Sequence, residues 1–513
     1  MCISPRQVLQ VYARTGTRAF RTAAVALRRD AATPSSSDAF QERLFNVDDV
    51  AERRKENQQL YPPREVLKAM LPDMGLVGAV QWQSYWDGVY GKIQDVPLDV
   101  ERLEKKFVET VSPDCTVWLF GRAGLHDTYR SNMDDFNRWK IVPRMLTGVT
   151  AADLTTRFTM MGKSFTMATP LSVAPVGVQA RVTYPDMTGD LYTAAAAAEI
   201  GVPFVISTVS SQPIEKIVET VTNTNILAPK PWFQLYNSSV TALSVSYLKR
   251  AKAAGCEAIV LTLDTTKYGY RTEELDAGYF PQADVRIPWG QGRSDPTFNG
   301  IMKGQFNSVA SEQFSDDGKY EVSALKTNML TLATVGVSAG DVWDKEKVPE
   351  PVDKPHQSID WMVDFVQGEL DLPLVLKGIQ HPDDARMAVR KGVSGLVVSN
   401  HGGRQADGCI STIAALPAVI AAVRDEAKAL GKDPIPVFVD SGFRCGAHIL
   451  KALALGATGV WVGRIPMMGT AVGGQDGAKR VLQGLLCDLD CTMVNAGIAD
   501  VHNIKSDTLV EDR

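Results

Sequence analysis

The chain has 513 residues, enough for one large barrel with extensions or for two to three ordinary domains. Hydrophobic residues make up 45% and charged residues 22%, the balance of a globular chain. The net charge of −5 gives no global basic field for nucleic acid or a membrane surface, and the longest apolar run, near 413–423, is too short and too interrupted to span a bilayer.

The first thirty residues differ from the rest. Arg6, Arg14, Arg18, Arg21, Arg28 and Arg29 all precede the first acid, Asp30, with Ala, Thr and Val between them. That composition predicts a mitochondrial transit peptide over 1–30; a disordered basic tail on a cytoplasmic protein is the alternative. Residues 31–114 read as a linker and N-terminal extension, with helical spacing over 96–111 and with Trp82, Tyr85 and Trp86 expected to pack. Seven cysteines, odd in number and without a paired framework, suit a reducing compartment. Cys487 and Cys491 could share a helix face, but no further Cys/His pair accompanies them, so no metal site is expected.

From Leu171 onward short apolar runs alternate with helical patterns. The predicted strands are 171–174, 203–207, 232–236, 258–264, 372–377, 395–399, 436–440 and 459–463. Helical segments between them include 189–200, 213–221, 242–254, 382–391, 412–430 and 446–455. Eight strands with crossover helices predict an α/β fold, a (β/α)8 TIM barrel. An open doubly wound sheet is the runner-up, but it would want a glycine fingerprint after the first strand, and Ala174-Pro175-Val176-Gly177 is not one. The rhythm breaks once. Residues 265–370 leave the fourth strand at its C-terminal end and read as a lid insertion. Residues 501–513 read as a C-terminal tail.

In such a barrel the strand C-termini converge on one site. Strand one ends in a backbone wall, Ala174-Pro175-Val176-Gly177; strand two offers Ser207 and Thr208; strand three Gln234 and Tyr236. Strand four offers Thr262 and Asp264, with Arg271 just inside the insertion, and strand five Lys377. Strand six delivers Ser399-Asn400-His401-Gly402-Gly403-Arg404-Gln405, a histidine that can take a proton near neutral pH and an arginine that can grip a carboxylate. Asp440-Ser441-Gly442-Phe443-Arg444 and Gly463-Arg464 follow the last two strands. There, glycine amides, a helix N-terminus and Arg464 suit a phosphate dianion. Gln234, Thr262 and Lys377 suit the polar edge of a flat heterocycle.

At these residues the chain resembles the FMN-dependent α-hydroxy acid oxidases and dehydrogenases. SNHGGRQ at 399–405 matches that family's active-site signature, and 440–444 with Gly463-Arg464 match its FMN-phosphate motifs. WKIVPRML (139–146), GYRTEELDAGYFP (269–281), SDPTF (294–298) and KGIQHPDDA (377–385) place it nearest the lactate 2-monooxygenase-like branch. The resemblance spans about 115–500 and implies the following. FMN is bound by Ala174, Pro175, Val176, Ser207, Gln234, Thr262, Lys377, Ser399, Asp440, Ser441, Gly442, Phe443, Arg444, Gly463 and Arg464. His401 is the base, and Asp264 pairs with its imidazolium and raises its pKa. Arg271 and Arg404 clamp the substrate carboxylate, Tyr236 hydrogen-bonds the substrate, and Lys377 faces the flavin N1/C2 edge. Trp118 stands near the substrate where the family usually has tyrosine, and His448 where it commonly has an acid. The implied reaction is oxidation of a small L-2-hydroxy acid such as lactate to the 2-keto acid. Electrons pass to molecular oxygen or another acceptor, and decarboxylation follows if the keto acid is retained. The implied assembly is a homo-oligomer, a tetramer or larger. A flavin-binding scaffold without turnover and a different FMN barrel oxidoreductase are the rival readings; the second would want a catalytic Cys or Ser loop.

Overall fold

The structure, a computed structural model, describes residues 75–238, 240–281, 284, 286–287, 289–307, 343 and 358–512. The expected leader and much of the expected insertion lie outside the described residues. Contacts divide the chain into two units, 1–70 with 84–93, and 71–83 with 94–513. Of the first unit, the described part is the end of the helix Gly75–Val89 and the turn after it. The barrel and the elements that cover it belong to the second.

Eight parallel strands form its centre: β1 (Leu171–Val173), β2 (Val205–Ile206), β3 (Trp232–Leu235), β4 (Ile259–Thr262), β5 (Leu374–Lys377), β6 (Gly395–Val398), β7 (Val437–Val439) and β8 (Gly459–Val462). Each pairs with its sequence neighbour from β2 to β8, and β8 pairs with β1. A single bridge, Val173 to Phe204, joins β1 to β2 and closes the barrel. Every strand residue is buried, which is why the strands read as continuous apolar runs and not as alternating ones.

The crossover helices are α1 (Gly189–Glu199), α2 (Ile214–Thr224), α3 (Thr241–Ala254), α4 (Ile359–Met362), α5 (Pro382–Arg390), α6 (Thr412–Ala429), α7 (Gly446–Ala454) and α8 (Arg464–Ala496). Local chemistry sets their ends. In α5, Pro382 opens the first turn, His381 accepts from the Asp383 N–H, and Arg390 sits in the last turn. Its buried face is Ala385, Ala388 and Val389, at helical spacing. The α8 run is two helices in sequence, because Gly473 and Gly474 leave helical geometry between them.

The insertion is shorter than expected from the sequence. Ser358 caps α4 through the Trp361 N–H, and α4 continues as π-helix over Val363–Glu369. Ile359, Met362, Phe365 and Val366 are buried, so this stretch is the fourth barrel helix and not lid. The described parts of the insertion are the short helices Thr272–Asp276 and Gly290–Ser294 and the helix Pro296–Asn307.

Three features were not foreseen. A hairpin, Thr156–Met160 with Lys163–Met167, seals the N-terminal end of the barrel. Two helices, Pro113–Phe120 and Asp127–Asp134, cover the opposite end. Within the expected C-terminal tail, Leu509–Glu511 pairs antiparallel with Trp139–Ile141. Among the described residues no helix is long and apolar enough to cross a membrane.

Candidate active site

At the C-terminal end of the strands lies a cavity of about 410 Å³. Tyr236, Lys377, His401, Arg271, Arg404 and Trp118 all line it, as expected. So do Ala174, Pro175 and Val176 on one side, and Asp440 through Arg444 with Gly463 and Arg464 on another. Ser207, Gln234, Thr262 and Ser399 are buried but do not line it. They hold its wall. Gln234 donates to Thr262 Oγ1 (3.1 Å) and accepts from the Thr208 N–H (3.1 Å). Ser399 Oγ accepts from Lys377 Nζ (2.8 Å) and from the His401 N–H (3.1 Å).

His401 follows β6 in left-handed backbone geometry (φ 59°), an uncommon state for a non-glycine residue. Its Nδ1 lies 2.7 Å from Asp264 Oδ1, and its Nε2 lies 3.5 Å from the Tyr236 hydroxyl. Pairing with the carboxylate assigns the proton of the neutral ring to Nδ1. Asp264 is buried, and burial pushes its carboxyl up. The neighbouring His401 and Lys377, with the Thr265 hydroxyl, outweigh that and hold it below the usual carboxylate range.

Asp264 acts on His401 in the expected direction, upward, but it is not the largest influence. Burial is the largest influence and lowers the imidazole pKa; Asp264 raises it, and the nearby Lys377 and Arg271 charges lower it. The net shift is downward, so the ring is neutral at pH 7. Burial also lowers Lys377, but Asp440 (3.2 Å) and Asp264 (3.7 Å) overcome it and keep the ammonium charged. Burial, then Asp264, raises the Tyr236 phenol.

Asp440, expected in the phosphate motif, lines the cavity and faces a cation. One of its oxygens faces Lys377 and the other accepts from the Ser441 hydroxyl (2.8 Å). A carboxylate would repel a phosphate, and its contact here is with the lysine. The rest of the motif behaves differently. Gly442 has φ 85°, and a Cβ there would fall 2.0 Å from Asn132 O, so only glycine fits. Arg444 and Arg464 both line the cavity, and each keeps a buried Nη2 that is hydrogen-bonded to nothing among the described residues.

Arg271 and Arg404 lie side by side. Arg404 donates through Nη1 to Leu119 O (3.1 Å) and Gly121 O (2.9 Å), and Arg271 donates through Nε to Arg404 O (3.1 Å). Trp118 is 6% exposed, with the Arg181 guanidinium 6.0 Å from its ring centre. Arg181 is itself ion-paired to Asp284 of the insertion (3.0 Å). His448 stacks on Phe136 (3.9 Å between ring centres), and burial lowers its pKa to about 4, a neutral packing role. His126 has a carboxylate neighbour that the sequence did not reveal, Glu273 at 3.3 Å. Cys487 and Cys491 both face Gln81 Oε1, and no group of three or more His, Cys, Asp or Glu among the described residues could hold a metal.

Sequence reasoning passed over Val209, Lys267, Tyr268 and Glu274. The first three line the cavity. Glu274 backs the two arginines, and its signal was present: it stands one helical turn after Arg271.

Barrel and mouth together define the class, oxidoreductases that work on 2-hydroxy acids with a flavin. The comparisons agree. A family model described as FMN-dependent dehydrogenase matches residues 109–511, and the chain belongs to that family. An FMN-dependent alpha-hydroxy acid dehydrogenase of Penicillium citrinum is 36% identical over 434 residues, 84% of this chain and 95% of the relative. An L-lactate oxidase of Lysinibacillus sphaericus is 32% identical over 419 residues, 81% of this chain and 93% of the relative. The crystal structure of a mandelate oxidase superposes with a TM-score of 0.60 at 30% identity, covering 81% of this chain and 98% of that one. FMN is the family's cofactor, and the residues present fit it. Two buried guanidinium groups with free donors suit its phosphate, and a buried lysine cation suits the electron-rich edge of its ring.

Proposed function

We propose that the protein oxidises a small L-2-hydroxy acid of the lactate type to its 2-keto acid, with His401 as the base. The observation that carries this reading is the 2.7 Å bond from His401 Nδ1 to Asp264, which leaves Nε2 free toward Tyr236 and the cavity. A neutral imidazole held in that tautomer takes a proton through Nε2, and the ionised Asp264 stabilises the imidazolium that forms. The Tyr236 hydroxyl, kept protonated by its burial, hydrogen-bonds the substrate hydroxyl. Arg404 and Arg271 hold the carboxylate and so present the α-carbon to the base. Arg444 and Arg464 would take the FMN phosphate, and Lys377 would face the polar edge of the ring. Bound FMN supplies the acceptor for the two electrons that leave the substrate.

Trp118 supports a small substrate side chain. Its indole is buried, with the Arg181 guanidinium 6.0 Å from its ring centre, and it takes up space on that side of the cavity. The test is anaerobic mixing of the yellow holoenzyme with a panel of 2-hydroxy acids. L-lactate is expected to bleach the flavin absorbance, faster than L-mandelate does. Absence of bleaching by every member would sink the proposal and leave the scaffold reading. Product stoichiometry under oxygen then assigns the acceptor: pyruvate with equal peroxide marks early release, and acetate with carbon dioxide marks oxidation of the keto acid before it leaves.

Two further expectations belong to this reading. Residues 1–30 deliver the protein to mitochondria, on the strength of six arginines before the first acid. A fluorescent fusion of that segment that stayed in the cytosol would end this idea. The assembly is a homo-oligomer of four or more chains, following the family resemblance, and a monomeric mass by light scattering would end that one.

A further inference from the structure

Glu274 is one turn beyond Arg271 on the helix Thr272–Asp276 and is 3% exposed. Its Oε1 accepts from Arg271 Nη1 (3.2 Å) and from Arg404 Nη2 (3.3 Å). Its Oε2 accepts from the Tyr268 hydroxyl (2.7 Å). The Tyr268 oxygen in turn takes an Arg271 N–H (2.6 Å), and the Tyr268 ring lies 4.1 Å from the Arg271 guanidinium carbon. Gly121 closes the other side: a Cβ there would come within 2.9 Å of Glu274 Oε1. The carboxylate is therefore seated between two cations, a phenol and a bare backbone.

Two buried guanidinium groups side by side repel each other. At Arg404, burial and then the Arg271 charge lower the pKa, with Glu274 acting against them. The carboxylate also uses up specific donors. Arg404 gives both Nη1 hydrogens to backbone carbonyls and one Nη2 hydrogen to Glu274, which leaves two of its five N–H groups. Arg271 gives its Nε to Arg404 O, both Nη1 hydrogens to Tyr268 and Glu274, and one Nη2 hydrogen to Gln405 (2.8 Å), which leaves one. The free donors are few and their directions are set.

We infer that Glu274 is a positioning residue for the substrate carboxylate: it fixes how Arg271 and Arg404 present their remaining donors to the cavity. The inference rests on the reading that these two arginines bind that carboxylate. A merely structural Glu274, one that ties its short helix to the barrel, would affect folding and leave anion affinity alone.

The experiment uses purified holoenzyme and two readouts, oxalate binding followed by the flavin absorbance change, and steady-state kinetics with L-lactate. Glu274→Gln keeps the volume, removes the charge and sets an amide against the arginine donors. It is expected to weaken oxalate by about tenfold or more and to raise KM by a similar factor, while kcat changes far less. Tyr268→Phe, which removes the phenol from both Glu274 and Arg271, moves both readouts the same way by a smaller factor. Wild-type oxalate affinity in the folded, flavin-loaded Glu274→Gln protein overturns the inference, even if its melting temperature falls. Tighter oxalate binding also overturns it, because Glu274 would then be only a competing charge. Should Glu274→Gln fail to load flavin, the Tyr268→Phe affinity decides alone, and an unchanged value overturns the inference. Wild-type enzyme that binds neither oxalate nor lactate marks failure of the underlying carboxylate reading instead.

Discussion

The two ends of the barrel are made from the same eight strands and are opposite in character. Toward the N-terminal end Trp232 and Phe438 pack edge-on, Phe158 and Phe165 of the hairpin close over them, and Trp461 lies on their other side, reaching the cavity. The interior cluster there consists of hydrophobic side chains. At the C-terminal end, Lys377, Asp440, His401 and four arginines gather around a cavity, with Asp264 behind them against Lys377 and His401. One strand shows both: β7 puts Phe438 into the apolar cluster and, two residues on, Asp440 against Lys377. One end supplies stability and the other holds charges that are costly to bury. Lys377 is tolerable there because it lies against two carboxylates, and Asp264 because it faces that lysine and accepts from His401.

That contrast can be broken at either end. The largest expected effect is at the mouth. His401→Gln should lower the rate of flavin bleaching by substrate about 10³-fold, with little change in melting temperature. A rate within a few fold of wild type would remove His401 as base. Phe438→Ala at the sealed end should do the reverse, costing about 3–5 kcal/mol of stability by chemical denaturation, while the folded protein keeps its kcat/KM. A comparable fall in kcat/KM would show the two ends to be coupled.

The pH dependence sharpens the difference. His401 has its pKa lowered, so the folded protein binds its proton only at pH below the ordinary histidine value. Activity should be flat around pH 7–8 and fall on the acid side of about 6.5. Stability shares that limb. Below the unfolded pKa the unfolded chain binds a proton that the fold does not, so acid favours unfolding. A profile that fell with rising pH through neutrality would contradict the neutral ring. The smallest effect is expected at Trp118. Trp118→Ala should move the mandelate-to-lactate ratio of kcat/KM upward by about tenfold, since a few methylenes of pocket carry that much discrimination.

The strands were legible because burial on both faces leaves an unbroken apolar run, as in Leu374-Val375-Leu376 and Leu396-Val397-Val398. Each strand came out shorter than its predicted span; at β4 and β6 the residues lost from the C-terminal end, among them Asp264 and Ser399, turn away to build the site. The hairpin at 156–167 escaped notice even though its turn residues, Met161 and Gly162, both have positive φ. Its alternation is carried by Thr, Arg, Lys and Ser, with Phe158 and Phe165 only half-buried. The α8 helix was hidden by its glycines. The site residues were readable as strand ends, but their pairings were not. Asp440 meets Lys377 across the intervening β6, a relation that no local spacing records. The direction of the His401 shift also needed the fold, because the Asp264 charge could be read in sequence and the depth of burial could not.

The aromatic seal has one more consequence, for traffic. Among the described residues the base of the barrel is stoppered, so the hydroxy acid and its keto acid product meet the site from the mouth. Trp118 and Tyr268 line the cavity on that path, so their bulk bears on what passes as well as on what binds.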